Sequence, residues 1–133
     1  MKIVTVSIRV FRYLWAMPWS LVGLMAALIA IPFGATARIG EGTLEVSGGR
    51  LGAWVTRRSL SFQLYAITFG HVILGVDQAS LSSCREHERV HVRQYERWGI
   101  LFIPLYCGSS LLQLLRGRDP YLENRFEREA HSQ

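Results

Sequence analysis

The sequence predicts an α+β chain, in which an N-terminal transmembrane helix is followed by a small domain that combines an antiparallel sheet with helices. Three segments predict it: an uncharged apolar run at 14–33, a segment rich in glycine and β-forming residues at 36–76, and an amphipathic helical pattern at 83–98. The chain has 133 residues, which is enough for one domain and hardly two. Half of it is hydrophobic and 19% is charged, an apolar composition for a soluble domain.

The apolar run at 14–33 has the length of a membrane anchor, since twenty helical residues at about 1.5 Å each match the hydrocarbon core of a bilayer. A basic segment, 1–13, precedes it, and Trp15 and Trp19 lie near one end, where indoles favour the interface. The alternative is a cleaved signal sequence, because Ala35-Thr36-Ala37 resembles a cleavage site. The run is longer than a usual signal core, which favours the anchor.

Residues 36–76 predict a small antiparallel sheet of about three strands. Thr43-Leu44-Glu45-Val46 alternates with period two, and Ser47-Gly48-Gly49 is typical of a turn. The region from Phe62 to Gly75 is rich in β-forming residues, and we expect the last strand at Ala66–Leu74.

The helix at 83–98 should begin at Ser83, which forms a capping-box pattern with Glu86. Successive residues lie about 100° apart around a helix, so its side chains separate into two faces. One face carries six charged residues. The opposite face is mostly uncharged and collects Cys84, His87, Glu88, Val90, His91, Gln94, Tyr95 and Trp98.

The motif His87-Glu88-Arg89-Val90-His91 on this helix predicts one zinc site. Two histidines four residues apart project to the same side of a helix and can bind one tetrahedral Zn²⁺. Glu88 is offset from them, so it can take a proton from water that the metal activates, as a general base. It is also the one charged residue on the uncharged face, where a carboxylate without a partner is costly.

A third protein ligand is expected, because catalytic zinc usually has three. Glu96 lies on the charged face of the motif helix, so its side chain cannot reach the metal that His87 and His91 would bind. A short charged helix predicted at Leu122–His131 offers Glu123, Glu127 and His131 at one-turn spacing. Glu127 is favoured, and Glu123 and His131 remain alternatives.

The motif resembles that of the gluzincin-type zincin metallopeptidases, in which a second helix supplies a glutamate ligand within Glu-x-x-x-Asp. Glu127-Arg-Glu-Ala-His131 matches the glutamate but has histidine in place of the aspartate. Over nearly its whole length the chain is similar to small bacterial membrane-anchored proteins of this type, including Trp15-Ala-Met-Pro18-Trp19 and the segment 121–130. The resemblance implies a minimal zincin-like domain at 36–133, with His87, His91 and Glu127 as zinc ligands and Glu88 as base. It also implies that a substrate peptide binds along Ala66–Leu74.

Several residues near the motif have two interpretations. His71 is either a transition-state donor or, as is more common for a lone strand histidine, a paired polar residue. Tyr95 and Tyr121 are packing residues or oxyanion donors, and Glu123 and His131 are candidates to support a zinc ligand. The sequence leaves open whether Cys84 and Cys107 form a disulfide.

The second apolar run, 98–115, is just long enough to cross a bilayer. If it crossed, His91 and Glu127 would lie about 30 Å apart on opposite sides. Gly99, Pro104 and Gly108 favour a bent segment that does not span. We therefore expect a single N-terminal anchor, with the basic residues before it favouring an external domain.

The sequence thus predicts a membrane-associated zinc metalloendopeptidase that acts on peptides or membrane proteins. The competing interpretations are a non-catalytic membrane protein that zinc staples together and an interaction module with an accidental motif. Nucleic-acid binding is not expected, because the positive charge of +5 is spread along the chain rather than concentrated in one patch.

Overall fold

The chain folds into nine helices and strands in the part that our computed structural model describes, residues 2–58 and 65–132. They are α1 (Lys2–Ala30), β1 (Thr36–Gly40), β2 (Thr43–Ser47), α2 (Gly49–Arg58), β3 (Ala66–Phe69), β4 (Val72–Gly75), α3 (Gln78–Trp98), α4 (Phe102–Leu115) and α5 (Arg125–His131). Short 3-10 turns at Ile31–Phe33 and Gly99–Leu101 follow α1 and α3. The α+β prediction with a long apolar N-terminal helix is confirmed.

The sheet differs from the predicted antiparallel one. It has four strands in the order β1-β2-β4-β3, with β2 and β4 parallel and the two outer pairs antiparallel. The predicted single strand Ala66–Leu74 is wrong, because the chain reverses at Gly70 and His71 to form a hairpin whose edge strand is β3. The predicted β-formers at Phe62 to Leu64 lie outside the described residues. The segment after β2 forms the helix α2, which was not predicted because its glycines are typical of turns.

The first helix packs lengthwise against the domain instead of standing apart from it. It runs unbroken through the expected boundary between residues 13 and 14. Ala16 and Ala27 are fully buried, and the indole of Trp19 donates a 3.0 Å hydrogen bond to the carbonyl of Ile100. The opposite side of α1 is exposed and almost entirely apolar: Ile3, Val4, Val6, Val10, Phe11, Leu14, Leu21, Met25, Leu28 and Ile29.

The motif helix α3 begins five residues earlier than predicted. Asp77 is its N-cap and accepts a 2.7 Å hydrogen bond from the backbone N–H of Ser80, so the expected capping box at Ser83 does not form. Ser83 instead donates to the carbonyl of Ser80 within the helix. Tyr95 is fully buried at the centre of an aromatic core that extends to α4 and α5. The predicted faces are otherwise present, since Glu88, His91 and Gln94 are buried.

The second apolar run bends at Gly99, whose φ of +57° ends α3 beside the indole of Trp15. Pro104 lies in the first turn of α4, where its missing N–H is not needed, and neither it nor Gly108 interrupts the helix. Two stretches, Ile3–Phe33 and Gln78–Leu115, are long and apolar enough to cross a membrane by length and composition. The chain turns back after α4, so that α5 packs against both α3 and α4.

Candidate metal centre

Three side chains from two helices converge on one point beside the aromatic core. One helical turn separates His87 from His91 on α3, and Glu127 approaches both from α5. Nε2 of His87 lies 2.9 Å from Oε2 of Glu127, Nε2 of His91 lies 3.3 Å from Oε1, and the two imidazole nitrogens are 3.2 Å apart. All candidate ligand atoms lie within 4.8 Å of one another, so these three residues can hold one metal ion.

Asn124 sets the position of Glu127. It is fully buried and is the N-cap of α5, where its side-chain oxygen accepts from the N–H of Phe126 at 2.9 Å. Its amide group donates to the carbonyl of Tyr106 at 3.0 Å and to the hydroxyl of Ser110 at 2.6 Å. The start of α5 is therefore fixed to α4, and Glu127 in its first turn is directed at the histidines.

The carboxylate of Glu127 is the buried charge of the cluster. Burial opposes its ionisation, but His87, His91 and Tyr106 outweigh that effect and hold the pKa of Glu127 well below its ordinary value. Its Oε2 is buried and has no hydrogen-bond donor in good geometry among the described residues, although Nε2 of His87 lies 2.9 Å from it. A buried carboxylate with one oxygen that lacks a donor, beside two imidazole nitrogens, is an environment that a bound metal ion would satisfy.

Gln94 orients His91 from behind. Its side-chain oxygen lies 2.9 Å from Nδ1 of His91, while its amide group donates to the carbonyl of Phe126 and to Glu129, both at 3.0 Å. Because two acceptors occupy the amide, the oxygen must face the imidazole, and Nδ1 must be the donor. That tautomer leaves the lone pair of Nε2 directed at the centre, as a metal ligand requires.

Tyr106 and His131 support the other side of the centre. The hydroxyl of Tyr106 donates a 2.6 Å hydrogen bond to Oε1 of Glu127. Nδ1 of His131 donates to the backbone carbonyl of Glu127 at 2.7 Å, and its ring lies edge-on to His87 at 4.6 Å between centroids. Tyr121 in turn contacts the ring of His131 edge-on at 6.0 Å. His131 is thus exposed but held beside a candidate ligand.

Glu88 lies one residue after His87 and is buried. The hydroxyl of Thr68, on the edge strand β3, donates to Oε2 of Glu88 at 2.6 Å. This hydrogen bond gives the carboxylate a partner and fixes its orientation beside the three candidate ligands, of which Glu88 is not one. The cost of burying a charged group is offset by this contact.

Three other residues singled out by the sequence have different surroundings. Tyr95 is a core residue whose hydroxyl donates to the carbonyl of Thr68 at 2.9 Å. Glu123 is partly exposed and lies 4.0 Å from Arg128, so it is not part of the cluster. His71 belongs to a separate group: it lies 3.0 Å from Glu96 and stacks on Tyr13, with ring centroids 3.9 Å apart.

Sequence reasoning missed the residues that orient the site. Thr68, Tyr106 and Asn124 come from separate elements, and nothing in the spacing of the chain relates them to the motif. Gln94 could have been found, because it is the only amide on the mostly uncharged face of the motif helix.

Comparison of the chain with protein-family models, with curated proteins and with solved structures gave no match.

Proposed function

We propose that this chain is a membrane-attached zinc metallopeptidase. The observation that supports the proposal most strongly is the convergence of His87, His91 and Glu127, with their candidate ligand atoms within 4.8 Å. Nδ1 of His91 is held by Gln94, which leaves Nε2 available to a metal, and Oε2 of Glu127 lacks a hydrogen bond. Three protein ligands with an open fourth position are typical of catalytic zinc.

A bound Zn²⁺ would supply a Lewis acid that polarises the scissile carbonyl and makes water nucleophilic near neutral pH. Glu88 takes the proton from the attacking water and then delivers it to the leaving amine. Thr68 holds the Glu88 carboxylate in place through its 2.6 Å hydrogen bond. The hydroxyl of Tyr106 keeps Glu127 oriented, so the ligand does not rotate away when the cluster changes charge.

The substrate would be an extended peptide that pairs with β3. This strand is at the edge of the sheet and is joined to the motif helix through Thr68, so a peptide beside it would pass near Glu88. Backbone groups on the outer edge of a sheet can pair with an added strand. On β3 the carbonyl of Thr68 already accepts from Tyr95, so a peptide would pair with the remaining edge groups.

Membrane attachment is supported by the exposed side of α1, which is apolar over the length of a bilayer. Because the other side of α1 packs on the domain, we propose that the helix is retained and that the domain lies against the bilayer. Exposed leucines of α4 extend the same apolar character: Leu105, Leu111, Leu112, Leu114 and Leu115.

A second candidate is a non-catalytic protein whose folding depends on zinc. The observation that favours it is His131, whose ring lies 4.6 Å from that of His87 and could move to supply a fourth ligand. A closed four-ligand site is structural, because no position remains for water.

Glu88→Gln distinguishes the two candidates when the reconstituted full chain is assayed with a casein-like substrate. For a peptidase, the variant keeps its zinc and loses hydrolysis, with a decrease of at least about a hundredfold. Glu86→Gln, on the exposed face of the same helix, is the matched control and should retain activity. Equal hydrolysis by Glu88→Gln and wild type would reject Glu88 as the base. Zinc binding without hydrolysis by the wild-type chain would favour the structural site.

A further inference from the structure

The helix α2, Gly49–Arg58, contributes nothing to the described core, since none of its residues is buried. It is attached to the domain along one side, where Gly52 lies directly against the backbone of Val76. A ten-residue helix is too short to be stable in water without a partner. The contact with the domain supplies that partner, while Arg50, Trp54 and Arg57 on the outward side are exposed.

The outward side combines basic and aromatic residues. Trp54 is 52% exposed, and the guanidinium of Arg58 lies 5.5 Å from the centre of its ring. Arg50 and Arg57 project within about 20° of each other around the helix axis. Ala53 and Trp54 lie between them along the helix. The helix contains three arginines and no acidic residue. Indoles favour the membrane interface and arginines are attracted to anionic lipid there, so the two residue types side by side suit a helix at a bilayer surface.

A groove of about 580 Å³ lies along this side of α2 and is lined by Phe33, Arg50, Leu51, Ala53, Trp54 and Arg57. Its lining contains two arginines and no acid, so its charge is complementary to an anion. Phe33 also connects the groove to α1, because it ends the 3-10 turn that follows the apolar helix. Ile31 and Phe33 are both more than 40% exposed, so the apolar side of α1 continues into the groove.

We propose that α2 is an interfacial helix that binds the phosphate of an anionic phospholipid through Arg50 and Arg57. Trp54 and Phe33 then lie at the boundary between glycerol and acyl chains, next to the end of α1. This inference rests on the proposed membrane attachment of α1, but not on zinc or on hydrolysis. It makes α2 the element that fixes how the domain is rotated about α1 relative to the bilayer surface.

The test uses the full chain with Cys84→Ser and Cys107→Ser, labelled with an environment-sensitive fluorophore at Ala53→Cys. The label is followed in phosphatidylcholine vesicles as the fraction of phosphatidylglycerol is raised. We expect the emission to shift to shorter wavelength as phosphatidylglycerol is added. Arg50→Gln and Arg57→Gln should each raise the fraction needed for half of the shift by about fivefold. Arg93→Gln, which removes an exposed arginine from α3, is the control and should leave it unchanged.

Three results would overturn the proposal. The first is an emission that is identical with and without phosphatidylglycerol. The second is a shift in Arg50→Gln and Arg57→Gln that occurs at the same phosphatidylglycerol fraction as in wild type, which would show that these arginines do not bind the lipid. The third is a shift produced equally by inorganic phosphate in detergent, which would assign the groove to a soluble anion. Zinc content, measured on the same samples, reports separately on the metal centre.

Discussion

Thr68 and Glu88 are joined by a 2.6 Å hydrogen bond from the threonine hydroxyl to Oε2 of the glutamate. Both residues are buried, and they belong to different layers of the fold, the edge strand β3 and the motif helix α3. The same strand residue accepts a hydrogen bond from Tyr95 through its carbonyl. The orientation of the proposed general base is therefore coupled to the position of the strand on which a substrate would lie.

Thr68→Val should lower kcat by about tenfold or more, with zinc content unchanged. Valine preserves the shape of the side chain but removes the donor, and a lost hydrogen bond to a charged group costs about 1.5–3 kcal/mol. Hydrolysis by the reconstituted chain measures the effect. Thr68→Ser keeps the hydroxyl and should retain most of the activity. Equal kcat values for the valine and serine variants would contradict the role of the hydroxyl.

Gln94→Ala should weaken zinc binding about 10–100-fold without abolishing it. The variant leaves all three ligands in place but removes the acceptor that holds Nδ1 of His91. Competition with a chromophoric chelator gives the affinity. Arg93→Ala, an exposed change next in sequence, serves as control. Zinc binding by Gln94→Ala as tight as that of wild type would show that Gln94 does not hold His91 as a ligand.

In metal-free protein, the pair formed by His91 and Glu127 should stabilise the fold most between about pH 4.5 and 6.5, the ordinary pKa values of the two groups. Glu127 has a lowered pKa, so its contribution is present above pH 4.5 and is lost as the pH falls toward its folded-state pKa. Burial opposes protonation of His91, but Glu127 more than compensates and raises its pKa. The contribution of His91 is therefore present below pH 6.5 and is lost as the pH rises through its folded-state pKa.

Thermal unfolding of metal-free wild type and Glu127→Gln across this range measures that contribution. The difference in melting temperature should be largest within the window and should decrease on either side. A difference that stays constant from pH 4 to 9 would show that the two groups do not interact in solution.

Gly23→Ala should destabilise the protein by about 1–3 kcal/mol, because an added Cβ would lie 2.7 Å from the Cβ of Val72 and 3.0 Å from that of Phe69. Alanine is the better helix former, so Gly108→Ala in α4, where the added carbon meets nothing within 4 Å, should be neutral or stabilising. Unfolding in detergent compares the two variants.

The same comparison tests whether α1 is retained. If α1 were removed after Ala37, the mature chain would lack residue 23, and Gly23→Ala could not change its stability. The intact mass of the protein extracted from membranes provides an independent check, and we expect it to include α1.

The parts of the fold that sequence predicted are those that depend on local patterns. The spacing of His87, Glu88 and His91 places them on one side of a helix whatever the rest of the fold, and the uncharged run of α1 is equally local. Glu127 could be favoured as the third ligand because Glu123 and His131 lie one turn from it on the second, charged helix that the sequence predicts. The parallel pairing of β2 with β4 could not be predicted, because it joins strands whose partners Leu44 and Val72 are far apart in sequence.

The contacts that surround the motif could not be predicted from the sequence either. Glu96 has the helical spacing to pair with Arg93. Instead it contacts His71 and Arg12, which other elements bring to it. The glycines at 48, 49 and 52 suggested turns and strands, although Gly52 is needed for the close approach of α2 to the backbone at Val76. Such positions depend on tertiary packing, which outweighs local preference.

The most direct test of the metal centre is the zinc content of the purified full chain, measured by mass spectrometry together with that of Glu127→Ala and Glu123→Ala. We expect one zinc ion per wild-type chain, an unchanged content in Glu123→Ala and a marked loss in Glu127→Ala. A wild-type chain that takes up no zinc, or a Glu127→Ala variant that binds it as tightly as wild type, would contradict the three-residue centre.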